Sequence, residues 1–219
     1  MTKRNGRSRT QWEPLYLAND GHLSAAPPEQ PGRVAFRTRR EAAAFTYRVP
    51  CDMELTGPMT LRVWLEVDGA DDIDLTVGVE KWRGTRYVGF EGSYGFGRDR
   101  VATGWQKASL RQLDEHRSTV AEPVHTCLTR QPLEPGQVVP VDVALGPSAT
   151  LFRAGESLRL VVAGRWLCSR NPLTGQFPAR YRPSPAARCT LHWGPEARCT
   201  LHWGPEQHAH LLIPHISTP

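Results

Sequence analysis

The sequence predicts an all-β domain with a jelly-roll or galactose-binding-like β-sandwich fold. Short apolar runs alternate with polar residues at a period of two, as in strands that bury one face. The 19 glycines and 19 prolines are spread along the chain, where they separate these runs. Helical periodicity is nearly absent. Many strands without alternating helices favour a sandwich over a doubly wound sheet.

The clearest strand prediction covers residues 60–68, which read TLRVWLEVD. Its apolar side chains share one face: Leu61, Val63, Leu65 and Val67. After a short polar turn, a second run places four apolar side chains on one face: Ile73, Leu75, Val77 and Val79. The two runs are predicted to pair as antiparallel neighbours.

Further strands are predicted along the rest of the chain. Residues 138–145 and 158–163 carry clear patterns. Weaker candidates are residues 15–17, 45–49, 87–90, 107–110, 199–203 and 210–213. Residues 39–44 are compatible with one helical turn, and residues 105–114 fit either a strand or a helix.

The domain is expected to span residues 15–216, after a flexible basic tail at residues 1–14. Residues 19–40 contain several prolines and are expected to form an extended arm lying on the domain. Residues 172–185 form a second loop-rich stretch by composition.

A tandem duplication occupies residues 187–206, because ARCTLHWGPE at 187–196 is repeated at 197–206. Ten is an even number, so exchanging the copies keeps every side chain on its original face of a strand. Only the second copy continues into QHAHLLIPHI, and we expect it to hold the native strand. The first copy is then a surplus loop or a competitor for the same position.

Composition argues against several classes of partner. The formal charge is +5, but the basic residues are scattered apart from the N-terminal cluster, so no nucleic-acid partner is expected. No stretch approaches the ~20 apolar residues that cross a membrane, and no apolar segment typical of a secretory signal follows the basic N-terminus. Five cysteines suggest no compact disulfide framework, which favours a reduced, cytoplasmic protein.

No residue is assigned a catalytic role. The segment nearest to the G-x-S-x-G motif of α/β-hydrolases is EGSYG, with Ser93 at its centre. Glu91 replaces the first glycine, and the context is a strand and a turn instead of a strand and a helix. Turn formation is the simpler interpretation of Ser93. Cys51 or Cys127 would need a positioned histidine to act as a nucleophile, and His125 is the nearest in sequence.

No metal or cofactor is expected either. The spacing C-x₂-H occurs in both copies of the duplication, but residues three apart on a strand point to opposite faces and chelate poorly. An acidic cluster at residues 68–74 contains enough carboxylates to suggest calcium, although aspartate is favoured in turns for other reasons. Exposed aromatic side chains would also suit a carbohydrate-binding module, and this alternative stays open: Trp64, Trp82, Tyr87 and Trp105.

Six stretches together carry a family resemblance: LYLANDGHLS (15–24), VPCDMELTGPMTLRVWLEVDGADDIDLTVGVE (49–80), GWQKASLR (104–111), PLEPGQVVPVDVALGPSATLFRAGESLRLVVAG (132–164), NPLTG (171–175) and HLLIPHI (210–216). In this order they resemble the C-terminal jelly-roll domain of the Xaa-Pro dipeptidyl-peptidase and cocaine-esterase family of serine hydrolases.

The resemblance implies a non-catalytic domain that packs on an α/β-hydrolase domain and borders its substrate pocket. In this family the Ser-His-Asp machinery lies upstream of LYLANDGHLS, so none of it maps onto this chain and the chain alone should be inactive. An α/β-hydrolase partner acting in trans is therefore expected, with esters, amides or Xaa-Pro peptides as substrates. The candidate docking residues are Trp64, Trp105 and Trp166. The sequence leaves the oligomeric state open.

Overall fold

The computed structural model describes residues 10–38, 40–91, 98–167 and 197–216. These residues form fourteen strands and two 3-10 turns, at Asn19–Gly21 and Ala108–Leu110. The strands are β1 (Thr10–Ala18), β2 (His22–Ser24), β3 (Gly32–Arg37), β4 (Ala42–Arg48), β5 (Met53–Asp68), β6 (Asp74–Arg83), β7 (Arg86–Tyr87), β8 (Phe90–Glu91), β9 (Arg98–Asp99), β10 (Ala102–Lys107), β11 (Val139–Phe152), β12 (Ser157–Ala163), β13 (Arg198–Trp203) and β14 (His210–Ile216).

The first sheet has the strand order β10-β6-β12-β4, and all of its pairings are antiparallel. Strand β6 pairs with β10 on one side and with β12 on the other. Strand β12 pairs with β4 along its whole length, from Ser157 opposite Arg48 to Ala163 opposite Ala42. The outer face of this sheet carries the candidate site described below.

The second sheet is built around the long strand β5. One edge of β5 pairs with β11, from Val139 opposite Leu65 to Phe152 opposite Met53. Its other edge pairs with β13 and β14 in succession. Strand β3 pairs with β13, and β1 pairs with β14, so that β3 lies at one end of the strand order.

Two short links join the sheets at their margins. Gly104 of β10 lies opposite Leu145 of β11, and His22 of β2 lies opposite Thr46 of β4 in a parallel pairing. The molecule is therefore a β-sandwich of the jelly-roll type, whose strand path turns back on itself through β5, β11 and β10. The predicted fold class is confirmed.

The core follows the alternation seen in the sequence. The apolar side chains of β5 are at most 1% exposed at four consecutive inward positions: Leu61, Val63, Leu65 and Val67. Burial of each such side chain contributes about 1.5–3 kcal/mol relative to leaving it in water. Leu75, Val77 and Val79 of β6 are equally buried on the opposing layer. Both strands are confirmed, but the predicted antiparallel pairing of the two runs was wrong. Strand β5 pairs with β11, β13 and β14, whereas β6 pairs with β7, β10 and β12, because the two runs lie in different layers of the sandwich.

The expected extended arm at residues 19–40 was wrong for most of its length. The segment contains a 3-10 turn, β2 and β3, and residues 25–31, where the prolines lie, separate β2 from β3 without regular structure. Strand β3 forms because Val34 and Phe36 alternate with polar neighbours and turn toward the core. The helical turn suggested for residues 39–44 was also wrong, since β4 begins at Ala42 and buries Ala43 and Phe45.

Three other boundaries differ from the sequence predictions. Strand β1 begins at Thr10, which lies opposite Ile216 of β14, so residues 10–14 pair with the sheet. Residues 105–110 contain the end of β10 and the 3-10 turn Ala108–Leu110, so the strand predicted at residues 107–110 was wrong. The predicted strand at 87–90 is split between the short strands β7 and β8.

The second copy of the duplicated decapeptide provides strand β13. Cys199, Leu201 and Trp203 face inward and are at most 4% exposed, and the strand lies between β5 and β3. The expectation that this copy holds a native strand is confirmed. The first copy, at residues 187–196, lies outside the described residues.

Candidate functional site

A pair of exposed tryptophans stands on the outer face of the first sheet. Trp105 of β10 is 67% exposed and Trp166, which follows β12, is 41% exposed. Their ring centroids are 6.2 Å apart with an interplanar angle of 53°, within the range of a favourable aromatic contact. Trp105 points outward because its neighbours Gly104 and Ala102 face the core side of the strand. Two of the three candidate docking residues are therefore in contact.

The segment carrying Trp166 is held against the sheet by a close approach to Gly78 of β6. A side-chain carbon at Gly78 would lie 2.6 Å from Cδ of Arg100 and 3.0 Å from Cδ1 of Leu167. The missing side chain thus makes room for Arg100 and Leu167 to lie over the strand. Arg100 also donates a hydrogen bond of 3.1 Å to the carbonyl oxygen of Leu167.

Glu80 anchors this arrangement from the same face of β6, where it is 8% exposed. Its two carboxylate oxygens accept hydrogen bonds from Arg100 (3.1 Å) and from the indole of Trp82 (2.9 Å). The guanidinium of Arg159 lies 5.3 Å from the centre of the Trp82 ring. The hydrogen-bonding capacity of the buried Glu80 carboxylate is thus met by two donors. Through Arg100, the cluster fixes residues 164–167, the strap that carries Trp166.

Trp64 lies on the second sheet, apart from the tryptophan pair. It projects from β5, opposite Pro140 of β11 and His202 of β13, and is half-buried. Its indole nitrogen is buried and has no hydrogen-bond acceptor in the described part of the chain. The side chain packs against the edge of the hydrophobic core.

A second charge cluster joins the β11–β12 turn to β6. The Glu156 carboxylate lies 2.9 Å from Nζ of Lys81 and 2.8 Å from a guanidinium nitrogen of Arg83, and it accepts the backbone N–H of Arg153. Burial alone would raise its pKa. The hydrogen bonds from Arg153, Lys81 and Arg83 outweigh this effect and lower the pKa of Glu156 to about 2.

The acidic cluster at residues 68–74 uses its carboxylates within the protein. Asp72 accepts hydrogen bonds from the backbone and hydroxyl of Ser109, and Asp74 lies 2.7 Å from Lys107. Asp71 forms an ion pair with Arg130 at 2.9 Å. In the four described segments, no group of three His, Cys, Asp or Glu side chains converges as metal ligands would.

The cysteine and histidine of the second copy point in opposite directions, as strand geometry predicts. Cys199 is buried in the core, which raises its pKa to about 12, so its thiol is inert. His202 faces outward, with Nε2 3.1 Å from the carboxylate of Glu66. The corresponding residues of the first copy, Cys189 and His192, lie outside the described residues.

Of the other candidate nucleophiles, Cys51 and Cys127 are exposed free thiols. Ser93 lies outside the described residues. Cys127 is exposed, and Nε2 of His125 is buried without a hydrogen-bond partner among the residues that are described. Burial lowers the pKa of His125.

Sequence reasoning missed the parts that hold the tryptophan pair in place. In the sequence, nothing about Glu80 or Arg100 indicated this role. Gly78 was the usable clue, because a glycine inside an otherwise apolar strand often marks a close approach of another segment.

A family model described as the X-Pro dipeptidyl-peptidase C-terminal non-catalytic domain matches residues 9–212. A CocE/NonD family hydrolase from Staphylococcus aureus has a solved structure that superposes with a TM-score of 0.84 at 30% sequence identity. The match covers 95% of this chain and 37% of the hydrolase, so the chain spans little more than a third of that protein.

Two more distant structures share the fold. An aminopeptidase from a marine sediment Thaumarchaeota archaeon superposes with a TM-score of 0.66 at 14% identity, covering 95% of this chain and 37% of that protein. An alpha-amino acid ester hydrolase superposes with a TM-score of 0.60 at 16% identity, covering 93% and 36% respectively. A search among curated proteins found no match.

In the described residues, no helix has the length and apolar character needed to cross a bilayer. The family match runs from the first strand of the sandwich into the last. The chain belongs to the family of X-Pro dipeptidyl-peptidase C-terminal non-catalytic domains.

Proposed function

We propose that this chain is a docking domain that packs on an α/β-hydrolase catalytic domain and borders its substrate pocket. The observation that carries the proposal is the extent of the match to the Staphylococcus aureus hydrolase. The match covers 95% of this chain but only 37% of the hydrolase. Together with the match to a non-catalytic domain, this coverage supports a chain that acts beside a catalytic domain. Esters, amides or Xaa-Pro peptides are the proposed substrates of the assembled enzyme.

The tryptophan pair is the proposed docking surface. Trp105 is 67% exposed, which is unusual for so large an apolar side chain, and tryptophan is enriched among residues that dominate binding energy. The strap carrying Trp166 is fixed by Arg100 and Glu80. A surface that is rigid before binding loses little conformational entropy when the partner covers it.

Trp64 is proposed to contribute differently. Because it lies on the second sheet and packs against the core, it would stabilise the sandwich more than it would bind a partner. A carbohydrate-binding role is not favoured, since the solved relatives are described as hydrolases and an aminopeptidase.

A cytoplasmic location is part of the same proposal. Its support is that Cys51, Cys127 and Cys199 are all free thiols in the structure.

Reconstitution of a hydrolase tests the proposal. The Staphylococcus aureus relative would be truncated ahead of the segment that matches this chain, and the missing segment supplied by this chain, either mixed in trans or fused as a chimera. Hydrolysis of p-nitrophenyl acetate and of an Xaa-Pro-nitroanilide would be measured. We expect no activity from the chain alone, little from the truncated hydrolase, and recovery in the mixture or the chimera.

The docking surface is tested by Trp105→Ala combined with Trp166→Ala. We expect the concentration needed for half-maximal recovery to rise at least about tenfold, as for the loss of interface tryptophans. Trp12→Ala is the matched control, because Trp12 is 40% exposed and lies on β1. Melting temperatures would confirm that all variants fold.

Activity of the chain alone, lost in Ser93→Ala, would show a complete small enzyme and overturn the proposal. A chimera that folds but stays inactive on both substrates would also contradict it. If Trp12→Ala raised the concentration for half-maximal recovery as much as the double variant does, the tryptophan pair would not be the docking surface.

A further inference from the structure

Among the described residues, strand β3 is paired along only one of its edges. It pairs with β13 on one side, from Arg198 opposite Arg37 to Trp203 opposite Gly32. On its other side no strand pairs with it among the described residues, and it stands at the end of the strand order. The next strand in sequence, β4, follows after a short turn but belongs to the other sheet.

The register shows which backbone groups face this free edge. The N–H of Thr38 donates a hydrogen bond to the carbonyl of Ala197 at 3.0 Å. Because the backbone N–H and C=O groups of successive strand residues point to opposite edges, those of Val34 and Phe36 also point toward β13. The backbone N–H and C=O groups of Arg33, Ala35 and Arg37 therefore point toward the unpaired edge.

At the end of this edge, the backbone groups of Arg37 already form hydrogen bonds with the turn that follows β3. The N–H of Arg37 donates to Oε2 of Glu41 at 2.8 Å, and the carbonyl of Arg37 accepts the N–H groups of Arg40 and Glu41. The groups that remain available to a partner belong to Arg33 and Ala35, which are both exposed.

A groove of about 470 Å³ lies beside this edge, between β3 and β4. Its apolar lining comes from Val34, Ala44, Phe45 and Trp203. The indole N–H of Trp203, a residue that is 4% exposed, has no acceptor within the described segments. The groove therefore offers apolar surface to a segment that lies along β3.

The outer side of the edge is rich in arginine. Arg33 and Arg37 are exposed and point away from the core, and Arg198 lies directly opposite Arg37 on β13. The nearby acidic groups are Glu41, which pairs with Arg37 at 2.8 Å, and Asp20 in the groove wall. Cross-strand neighbours of opposite charge stabilise a ladder, so this edge favours acidic side chains on an added strand.

We propose that β3 receives an extended segment of the hydrolase partner, in which acidic side chains face the arginines and apolar side chains enter the groove. Alternating polarity follows from the pleat, because successive side chains of the added strand point to opposite faces. The main-chain bonds would come from Arg33 and Ala35, as in other cases of strand addition. This inference rests on the proposed docking function and names a second contact made by the same partner.

A second copy of this chain is a poorer occupant. Antiparallel pairing of two β3 strands about Ala35 would place Arg33 of one copy opposite Arg37 of the other. Like charges directly opposite each other in a ladder are destabilising. The arginines thus oppose self-association at an edge that would otherwise invite it.

Nuclear magnetic resonance with a synthetic peptide tests the inference on the intact chain. The probe is an acetylated, amidated pentapeptide of alternating glutamate and valine, with a lysine–valine peptide as its charge-reversed control. We expect the glutamate peptide to shift the amide signals of Arg33 and Ala35 and to slow their hydrogen exchange. The lysine peptide should bind at least about tenfold more weakly.

Two variants locate the contact. Ala35→Pro removes an N–H that faces the open edge while the ladder to β13 stays intact, and it should abolish peptide binding with little loss of stability. Val34→Pro is its positional control, because that N–H faces β13 and its loss should lower the melting temperature. Arg33→Glu should weaken the glutamate peptide at least about tenfold, whereas Arg48→Glu, an exposed change on β4, should not.

Reconstitution separates this inference from the docking function. If the hydrolase recovers activity with the native chain and equally well with Ala35→Pro, the docking function stands and the strand addition is refuted. Equal binding of both peptides, or no shift at Arg33 and Ala35, would also overturn it. Dimerisation of the native chain that Ala35→Pro abolishes would assign the edge to a second copy and contradict the proposed occupant.

Discussion

The two long margins of the sandwich are built differently. On the closed side, β11 pairs with β5 from Val139 to Phe152 and reaches β10 at Gly104. On the open side, β3 and β4 follow each other in sequence yet belong to different sheets, with a groove between them. At the closed margin β11 pairs with a strand of each sheet, whereas at the open margin β3 leaves backbone groups unpaired among the described residues.

The difference shows where this fold can meet a partner. A closed margin has no unpaired strand edge, so contacts there must come from side chains such as the tryptophan pair. An open margin adds main-chain donors and acceptors, which bind without requiring a particular sequence. Docking through side chains is therefore expected at the tryptophan pair, and docking through main-chain hydrogen bonds at the open margin.

The largest effect is expected from Glu156→Gln, where the β11–β12 turn meets β6. The variant leaves Lys81 and Arg83 without a buried carboxylate, and breaking such a pair should cost about 3 kcal/mol of unfolding free energy. Urea denaturation at pH 7 would measure it. Glu41→Gln is the control on the open side, where loss of the exposed pair with Arg37 should change the free energy of unfolding far less, because solvent screens an exposed ion pair.

The same position gives a pH dependence. The pKa of Glu156 is about 2 in the folded protein against an ordinary 4.5, so its stabilising contribution is complete above about pH 4.5 and is lost as the pH falls toward 2. The difference in unfolding free energy between the native chain and Glu156→Gln should therefore shrink over that range. A difference that stays constant from pH 5 to pH 3 would show that the charge is unimportant.

A loss of similar size is expected from Leu201→Ala, in the strand beside the open margin. Leu201 is fully buried, and removing such a side chain typically costs about 2–5 kcal/mol. The first copy of the duplication supplies the matched control, Leu191→Ala, which should change stability by less than about 0.5 kcal/mol. Similar effects of both variants, or a small effect of Leu201→Ala, would indicate that the copies exchange in the β13 position.

Gly104→Ala tests the closed margin more directly. A side-chain carbon at Gly104 would overlap the carbonyl oxygen of Ala144 on β11, so the two strands would have to separate, at a cost of about 2 kcal/mol. Gly146→Ala is the control, because its nearest neighbour would be the Thr103 carbonyl oxygen at 3.8 Å, an ordinary contact. Equal melting temperatures of the two variants would show that the β10–β11 link contributes little.

The smallest effect is expected from deletion of residues 187–196. The second copy already fills the position between β5 and β3, so the melting temperature should stay the same or rise. A fall of many degrees, measured calorimetrically against the native chain, would show that the first copy supports the fold.

Much of the fold could be predicted because apolar and polar side chains alternate within each long strand. Leu61 to Val67 and Leu75 to Val79 bury every second side chain, and that pattern identifies a strand without any tertiary information. The second copy was also recognisable as a strand, since only it leads into β14. The arm at residues 19–40 failed because proline-rich residues 25–31 obscured the short alternation of β3.

The candidate site was less accessible to sequence reasoning. Exposure of Trp105 followed from its position on β10, but its contact with Trp166 depends on a strap that crosses β6 over Gly78. Such a crossing brings together residues that are distant in sequence, so it produces no periodic pattern of apolar residues that could predict it. Trp64 looked equivalent to the other two in the sequence, and only the pairing of β5 places it on the other sheet.

Strand β1 lies beside β14, with Thr10 opposite Ile216, so the polypeptide enters and leaves the sandwich at one corner. A tether attached at either end would hold a neighbouring domain at the same place and leave the same faces free. This arrangement also suits circular permutation. New ends could be opened at the β6–β7 turn, where Gly84 has nothing near its missing side chain, and the old ends joined across the corner.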